Sequence, residues 1–351
     1  MADASPRVAG RAEAGRGAPA ARLLVTLGRA MLRNPILPIL LVAIPLFAIF
    51  VPYYATWGNV RNLALASSIL LLLASGGAIV MISGNIDLSV EGTLAFTAMV
   101  AAWLMTEKQG GSGLLLSPFL VIPLSIALGA LIGCLNALLV ERLGVNPFIV
   151  TIGMLLALKG AAAIPTQAAT IYGLPSAYSW VGYHGVLGLS WIVIIAFAVA
   201  FLLSVWLRQS IAGRHIYAVG GNRAAAIENG VSSWRTVTLA YAISGALAGL
   251  AGWLNAARLD SAAASSGEGI TFTVFAAMII GGVALAGGAG SLLGVLGGVI
   301  LLSSIDNVLN LTAINPLYVN FVRGVVILFA VVLIVLRQRL ANRFGIEEDA
   351  A

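Results

Sequence analysis

Charge is what this sequence lacks most. Asp, Glu, Lys and Arg make up 9% of the 351 residues, while 60% are hydrophobic and the mean hydropathy is +1.02. Soluble domains carry about 25% charged residues, so a water-exposed globule of this size would lack the charge to cover itself. Lipid is the alternative solvent. Cysteine is represented once, by Cys134 in an apolar run, which excludes a disulfide framework and reads as packing. Lysine occurs twice, at Lys108 and Lys159, and neither follows a glycine-rich GxxxxG stretch, so no P-loop can be built. The two histidines, His184 and His215, stand far apart, no His/Cys/carboxylate cluster offers a metal site, and no G-x-S-x-G elbow is present. Soluble enzymes, disordered proteins and nucleic-acid-binding domains are thereby set aside, and a membrane-embedded enzyme has no visible apparatus.

What the sequence has in abundance is long apolar segments. A bilayer core of about 30 Å takes about 20 apolar residues per helical span. Candidate spans fall at 35–54, 62–82, 89–106, 115–140, 147–164, 190–207, 236–257, 270–287, 291–311 and 320–336. The fold class expected is therefore all-α and polytopic, with about ten transmembrane helices. The first run is too long for a signal-peptide core and lacks a small-residue cleavage site, so it is read as a retained span. Glycines interrupt 84–106 and 270–291, marking either region as a full span or a broken, re-entrant helix; irregular backbone is tolerated at membrane depth where protein or a water-filled cavity satisfies it.

The charges test this threading. With both termini in the cytoplasm, the arginines of a basic tail (1–34), Arg142, a 208–235 loop and a carboxyl-terminal tail (338–351) all fall inside. The opposite side receives Arg61, Lys108 and Arg258, and the 165–189 loop there has no Lys or Arg. This asymmetry follows the positive-inside rule, so the net charge of +6 reports orientation rather than a nucleic-acid partner. The transmembrane domain is taken as 35–337.

Small residues recur at four-residue spacing: Gly129 and Gly133, Gly245 and Gly249, Gly290 with Gly294 and Gly298. Such pairs read as close helix packing within the bundle, with a subunit interface as the sharper alternative. Polar groups within the apolar runs are few: Asp87 with Asn85, Ser89 and Glu91 nearby, then Lys159, Asp306, Asn307 and Arg323. Asp87 or Ser89 can cap the third span, and Glu91 falls in its first turn, where the helix dipole favours an acid. A lining role is compatible with capping. Lys159 and Arg323 can extend their stems to an interface. In the basic loop, Gly221, Asn222, Arg223, Ala225, Glu228, Asn229 and Gly230 read as a short helix with Asn222 at its N-cap and Gly230 at C′. A helix this short is unstable alone and must dock, on its own membrane domain, a partner or lipid headgroups.

Three stretches carry a family resemblance: Gly84-Asn-Ile-Asp-Leu-Ser-Val90; Ile216-Tyr-Ala-Val-Gly-Gly-Asn-Arg223 running to Gly230-Val231; and Met278 through Gly294, followed by Asn307-Val-Leu-Asn-Leu311. In this order, across roughly 60–336, the chain resembles the permease subunits of bacterial ABC importers for monosaccharides, the ribose, xylose and arabinose permease family. The resemblance implies an inner-membrane permease that pairs with a second permease subunit around a central path. Two cytoplasmic ABC ATPase domains would bind the ATP, this chain needing no cofactor of its own, and a periplasmic sugar-binding protein would deliver the cargo. It further implies that the Gly221–Gly230 helix couples to the ATPase and that Asn85, Asp87, Ser89 and Glu91 lie near the path. The chain departs from the family pattern at Asn85 and Glu91, usually small residues, and at Ala224 and Thr273, usually acidic, which leaves the substrate open between sugars and polyols. The rival reading is an ion-coupled secondary transporter titrating Asp87, Glu91 and Asp306.

Overall fold

The computed structural model describes residues 36–107 and 111–312, together with Tyr318, Phe321, Val322, Gly324, Val325, Leu328 and Val332, which are helical. The tail 1–34, most of the tenth candidate span, Arg323 and the 338–351 tail lie outside the described residues. The architecture is all-α, as composition and hydropathy require. In chain order the helices are α1 (Ile36–Phe50), α2 (Trp57–Ile82), α3 (Val90–Met105), α4 (Pro118–Ala137), α5 (Pro147–Ala163), α6 (Ser176–Tyr183) and α7 (Trp191–Gln209). There follow α8 (Ile211–Gly221), α9 (Arg223–Glu228), α10 (Ser233–Leu259), α11 (Ile270–Ile280) and α12 (Leu292–Leu311). A π-helical turn, Leu138–Arg142, extends α4. Among the described residues, five helices are long and apolar enough to cross a membrane: α2, α4 with its extension, α7, α10 and α12.

Nine of the ten expected spans coincide with described helices. The two doubtful regions are both interrupted. Residues 84–89 are not helical and α3 begins only at Val90, whereas α11 covers only 270–280 of its candidate span. At 1.5 Å per residue the eleven residues of α11 reach about 16 Å, half of a hydrocarbon core. The 165–189 stretch, expected to be a plain loop, carries α6, the β2–β3 hairpin (Gly185–Val186 with Leu189–Ser190) and β1 (Ile171–Tyr172), which pairs antiparallel with β4 (Ser261–Ala262). Pro175 at the N-cap of α6 and the Leu187–Gly188 turn, both residues at positive φ, build that cap locally. It docks through Tyr178, whose hydroxyl donates to the Trp253 carbonyl while the two rings meet edge to face at 4.9 Å.

The core is organised around α2 and α10. Both are buried along most of their length, because each is apolar or small on every face rather than amphipathic. On α10 the face Tyr241, Gly245, Gly249 meets Ser125, Gly129 and Gly133 of α4, so closely that a Cβ on any of the four glycines would strike the facing backbone. Gly281 and Ala277 of the α11 region meet Gly294 and Gly298 of α12 in the same manner. The four-residue spacings are thus used for packing inside one chain, as helices in lipid, deprived of a hydrophobic drive, require. By contrast, Gly153 and Gly160 on α5 face nothing within 4 Å.

Candidate functional site

The segment between α2 and α3 runs into the bundle. Gly84, at φ +83°, turns the chain past the end of α2, and the Ile86 carbonyl then accepts from the Tyr241 hydroxyl at 2.8 Å. Asp87 is buried and fully engaged: Oδ1 accepts from the Ser89 amide (3.0 Å) and hydroxyl (2.6 Å), and Oδ2 from the Ser244 hydroxyl (2.7 Å). Asn136 of α4 donates to Ser89 Oγ at 2.8 Å. Ser244 lies eleven residues into α10, about 16 Å from that helix's start, so the network sits deep within the bundle. The expected capping is corrected in one detail. Ser89 occupies the N-cap position of α3, but its hydroxyl bonds Asp87 and makes no cap bond. Asp87 orders the approach to the helix instead. Asn85 turns back locally, donating to the Ser83 carbonyl and hydroxyl at 3.4 and 3.3 Å.

Glu91, in the first turn of α3 as expected, is buried and bonds in two directions. Oε1 lies 2.6 Å from Lys159 Nζ, and Oε2 accepts the Thr271 amide of α11 at 3.2 Å. Lys159 therefore does not extend away to an interface. Its side chain is 27% exposed and turned to a carboxylate that is 4% exposed. A charge at membrane depth costs at least about 2.5–3.5 kcal/mol on insertion scales, so two such residues are economical only as a pair. Thr271 Oγ1 also donates to the Leu88 carbonyl at 3.4 Å, and Thr273 is buried on the same short helix.

The remaining polar groups sit elsewhere. Asn307 of α12 exchanges two amide hydrogen bonds with Asn59 of α2, both 2.8 Å, and Asn59 also donates to the Tyr54 carbonyl. This pair marks the end of the bundle opposite the 208–235 loop. Asp306 is its half-buried neighbour on α12.

The basic loop forms a bent pair of helices, α8 and α9. Asn222 caps α9, its Oδ1 accepting from the Ala225 amide at 3.0 Å, and Gly230 at φ +82° closes the helix, as the residue pattern predicts. Gly221, Asn222, Arg223, Glu228, Asn229 and Gly230 are exposed, Ala225 is half-buried and Ala226 is buried. Exposed α9 stands out from this pair as a peg, and it is fixed from the side by a residue that sequence reasoning missed. Glu141, in the π-helical turn, accepts from Arg223 at 2.6 Å and from the Ser233 hydroxyl at 3.2 Å. Next to it, the Arg142 guanidinium sits 4.6 Å over the Trp234 ring. The alternation of acid and base in Glu141-Arg142 after a long apolar run was the available signal.

The three sequence stretches singled out above converge beneath this peg. The Gly288 amide donates to the Ile82 carbonyl at 2.8 Å, and a Cβ on Gly287 would lie 2.7 Å from the Gly84 Cα and 2.9 Å from the Gly220 oxygen. A Cβ on Gly288 would lie 2.5 Å from the Gly221 Cα. Gly84, Gly287 and Gly288 all have positive φ, so glycine is required there by conformation as well as by space. Tyr217 of α8 donates to the Gly290 carbonyl at 2.8 Å, and burial raises its phenol above the ordinary value, against a lowering by Arg208. Among the described residues no group of three His, Cys, Asp or Glu is placed to hold a metal ion.

The family model for the branched-chain amino acid transport system / permease component matches residues 59–331. The ribose import permease protein of Escherichia coli (strain K12) is 34% identical over 299 residues, 83% of this chain and 90% of that protein. The autoinducer 2 import system permease protein of Enterobacter sp. (strain 638) is 34% identical over 311 residues, 87% of this chain and 88% of its own. The galactose/methyl galactoside import permease protein of Escherichia coli (strain K12) is 31% identical over 308 residues, covering 84% and 91%. No solved structure matches. With all three motif stretches meeting at one glycine junction inside a polytopic helical bundle, and with relatives aligned along most of its length, the chain belongs to the family of ABC transport-system permease components.

Proposed function

We propose that this chain is the membrane-spanning subunit of a bacterial ABC importer for a sugar or sugar-like polyol, resident in the inner membrane. It pairs with a second permease subunit, receives cargo from a periplasmic binding protein and is driven by two cytoplasmic ATPase domains that bind the ATP. The chain itself carries no ATPase site and no cofactor. The relatives named for ribose, galactose and autoinducer 2 support the substrate class. One observation supports the drive above all: α9, capped, exposed and propped by Glu141, follows directly on Gly220 and Gly221 at the end of α8, which pack against Gly84, Gly287 and Gly288 at the two interrupted spans. Displacement of that peg by closing ATPases reaches Gly84 and Gly287 through backbone contact, and so reaches the Asn85–Glu91 segment that flanks the path.

Asp87 and Glu91 are engaged by hydroxyls, two backbone amides and an ammonium group of the chain, which favours this reading over gradient-driven transport through titrating carboxylates. The test is uptake of labelled pentoses, hexoses and polyols into proteoliposomes carrying the chain with its ATPase and binding protein. ATP-dependent uptake that vanishes without either partner is the expected result. Uptake by the chain alone under a proton gradient, independent of ATP, refutes the reading.

A further inference from the structure

Helix α11 starts without a side-chain cap of its own. Its N-cap is Gly269, at φ +78° and with no side chain; the Ile270 amide donates to the Gly267 carbonyl at 2.9 Å, and the next amide, that of Thr271, needs an acceptor from elsewhere. Glu91 supplies it to the Thr271 amide from the start of α3, at 3.2 Å, while its other oxygen holds Lys159 of α5 at 2.6 Å. A second strap, Thr271 Oγ1 to the Leu88 carbonyl, joins the same two helix starts. The other end of α11 leads, within eight residues, to Gly287 and Gly288 against Gly84, Gly220 and Gly221. The short helix and the segment after it therefore connect the glycine junction to a single buried carboxylate.

We propose that Glu91 is a positioning residue for transport: by capping α11 from outside and pairing with Lys159, it makes α3, α11 and α5 move as one body when the glycine junction is displaced. The proposal rests on the importer reading above. It differs from a cargo-contacting role for Glu91, because a mechanical tie governs how much transport each ATP yields, whereas a contact to cargo governs which cargo is accepted and at what concentration.

The experiment uses the full transporter in proteoliposomes with Glu91→Ala, Glu91→Gln, Lys159→Met and the pair Glu91→Gln/Lys159→Met. Glu91→Ala removes both the cap and the ion pair; the paired variant keeps an acceptor for Thr271 and leaves no unpaired charge. Expected is a fall of at least about tenfold in uptake per ATP hydrolysed for Glu91→Ala, with the KM for loaded binding protein within about twofold, and a smaller fall for the paired variant than for Lys159→Met. Amide exchange of the purified chain supplies an independent readout, with Thr271 exchanging at least about tenfold faster in Glu91→Ala than in the paired variant. Unchanged coupling in Glu91→Ala, a shift confined to KM, or equal Thr271 protection in the two variants overturns the proposal. If wild-type vesicles themselves show no ATP-driven uptake, the importer reading falls, and the exchange comparison still decides the capping contact.

Discussion

Replacing Arg223 by Ala tests how the exposed peg is held. The guanidinium is 52% exposed, yet the carboxylate it meets at 2.6 Å, Glu141, is only 2% exposed. Without Arg223, Glu141 keeps the Ser233 hydroxyl at 3.2 Å on Oε2, and its buried Oε1 has no hydrogen-bond partner. A hydrogen bond to a charged group contributes about 1.5–3 kcal/mol, and solvent around Arg223 reduces that to about 1 kcal/mol. At 1.4 kcal/mol per factor of ten, docked α9 should be about fivefold less favoured. Restoring neutrality should recover much of this. In Arg223→Ala/Glu141→Gln the amide tolerates burial without a cation, so at least half of the loss should return. The assay is equilibrium binding of the purified ATPase subunit to the chain in nanodiscs. If the double variant binds as weakly as Arg223→Ala alone, Arg223 acts by touching the partner, and the holding role assigned to Glu141 is wrong.

Further substitutions probe three separate parts of the fold. Asn222→Ala should lose about 1 kcal/mol of α9 stability and Asn222→Gly only a few tenths, read as the ranking of ATP-driven uptake rates at limiting ATPase. Gly245→Leu should lower the thermal midpoint in detergent by overpacking α4 against α10, about 1–3 kcal/mol, while Gly153→Ala, facing open space, should leave it unchanged or raise it. Asn307→Ala strands one side of a two-bond amide pair and should cost about 1 kcal/mol; adding Asn59→Ala should cost less than the sum of the single changes, measured as a double-mutant cycle on thermal midpoints.

Much of the bundle could be read from the chain itself, because apolar length and basic flanks act one segment at a time. That logic put a helix in nine of the ten candidate spans, five of them long and apolar enough to cross a membrane, and flagged both interrupted regions. The cap at Asn222 and the closing glycine at 230 were legible for the same reason: capping chemistry is local. What stayed hidden depends on partners far along the chain. Glu91 and Lys159 stand 68 positions apart and Arg223 and Glu141 82 apart, and no periodicity in either helix announces such a meeting. Lys159 looked free to extend outward because its anion belongs to another helix. Ser89 looked like a cap because nothing local shows that Asp87 claims its hydroxyl first. The cap over 165–189 escaped notice since its helix and hairpin are too short to bear a periodic signature, being stabilised by the docking of Tyr178.

The place where Gly84, Gly220 and Gly287 meet has no side chains to rearrange. Motion arriving there cannot be absorbed by a rotamer change, as it would be in an ordinary packed interface, and must pass on as displacement of main chain. Such a contact is stiff without being bulky, and a side chain added at Gly220 or Gly287 could be accommodated only by moving main chain.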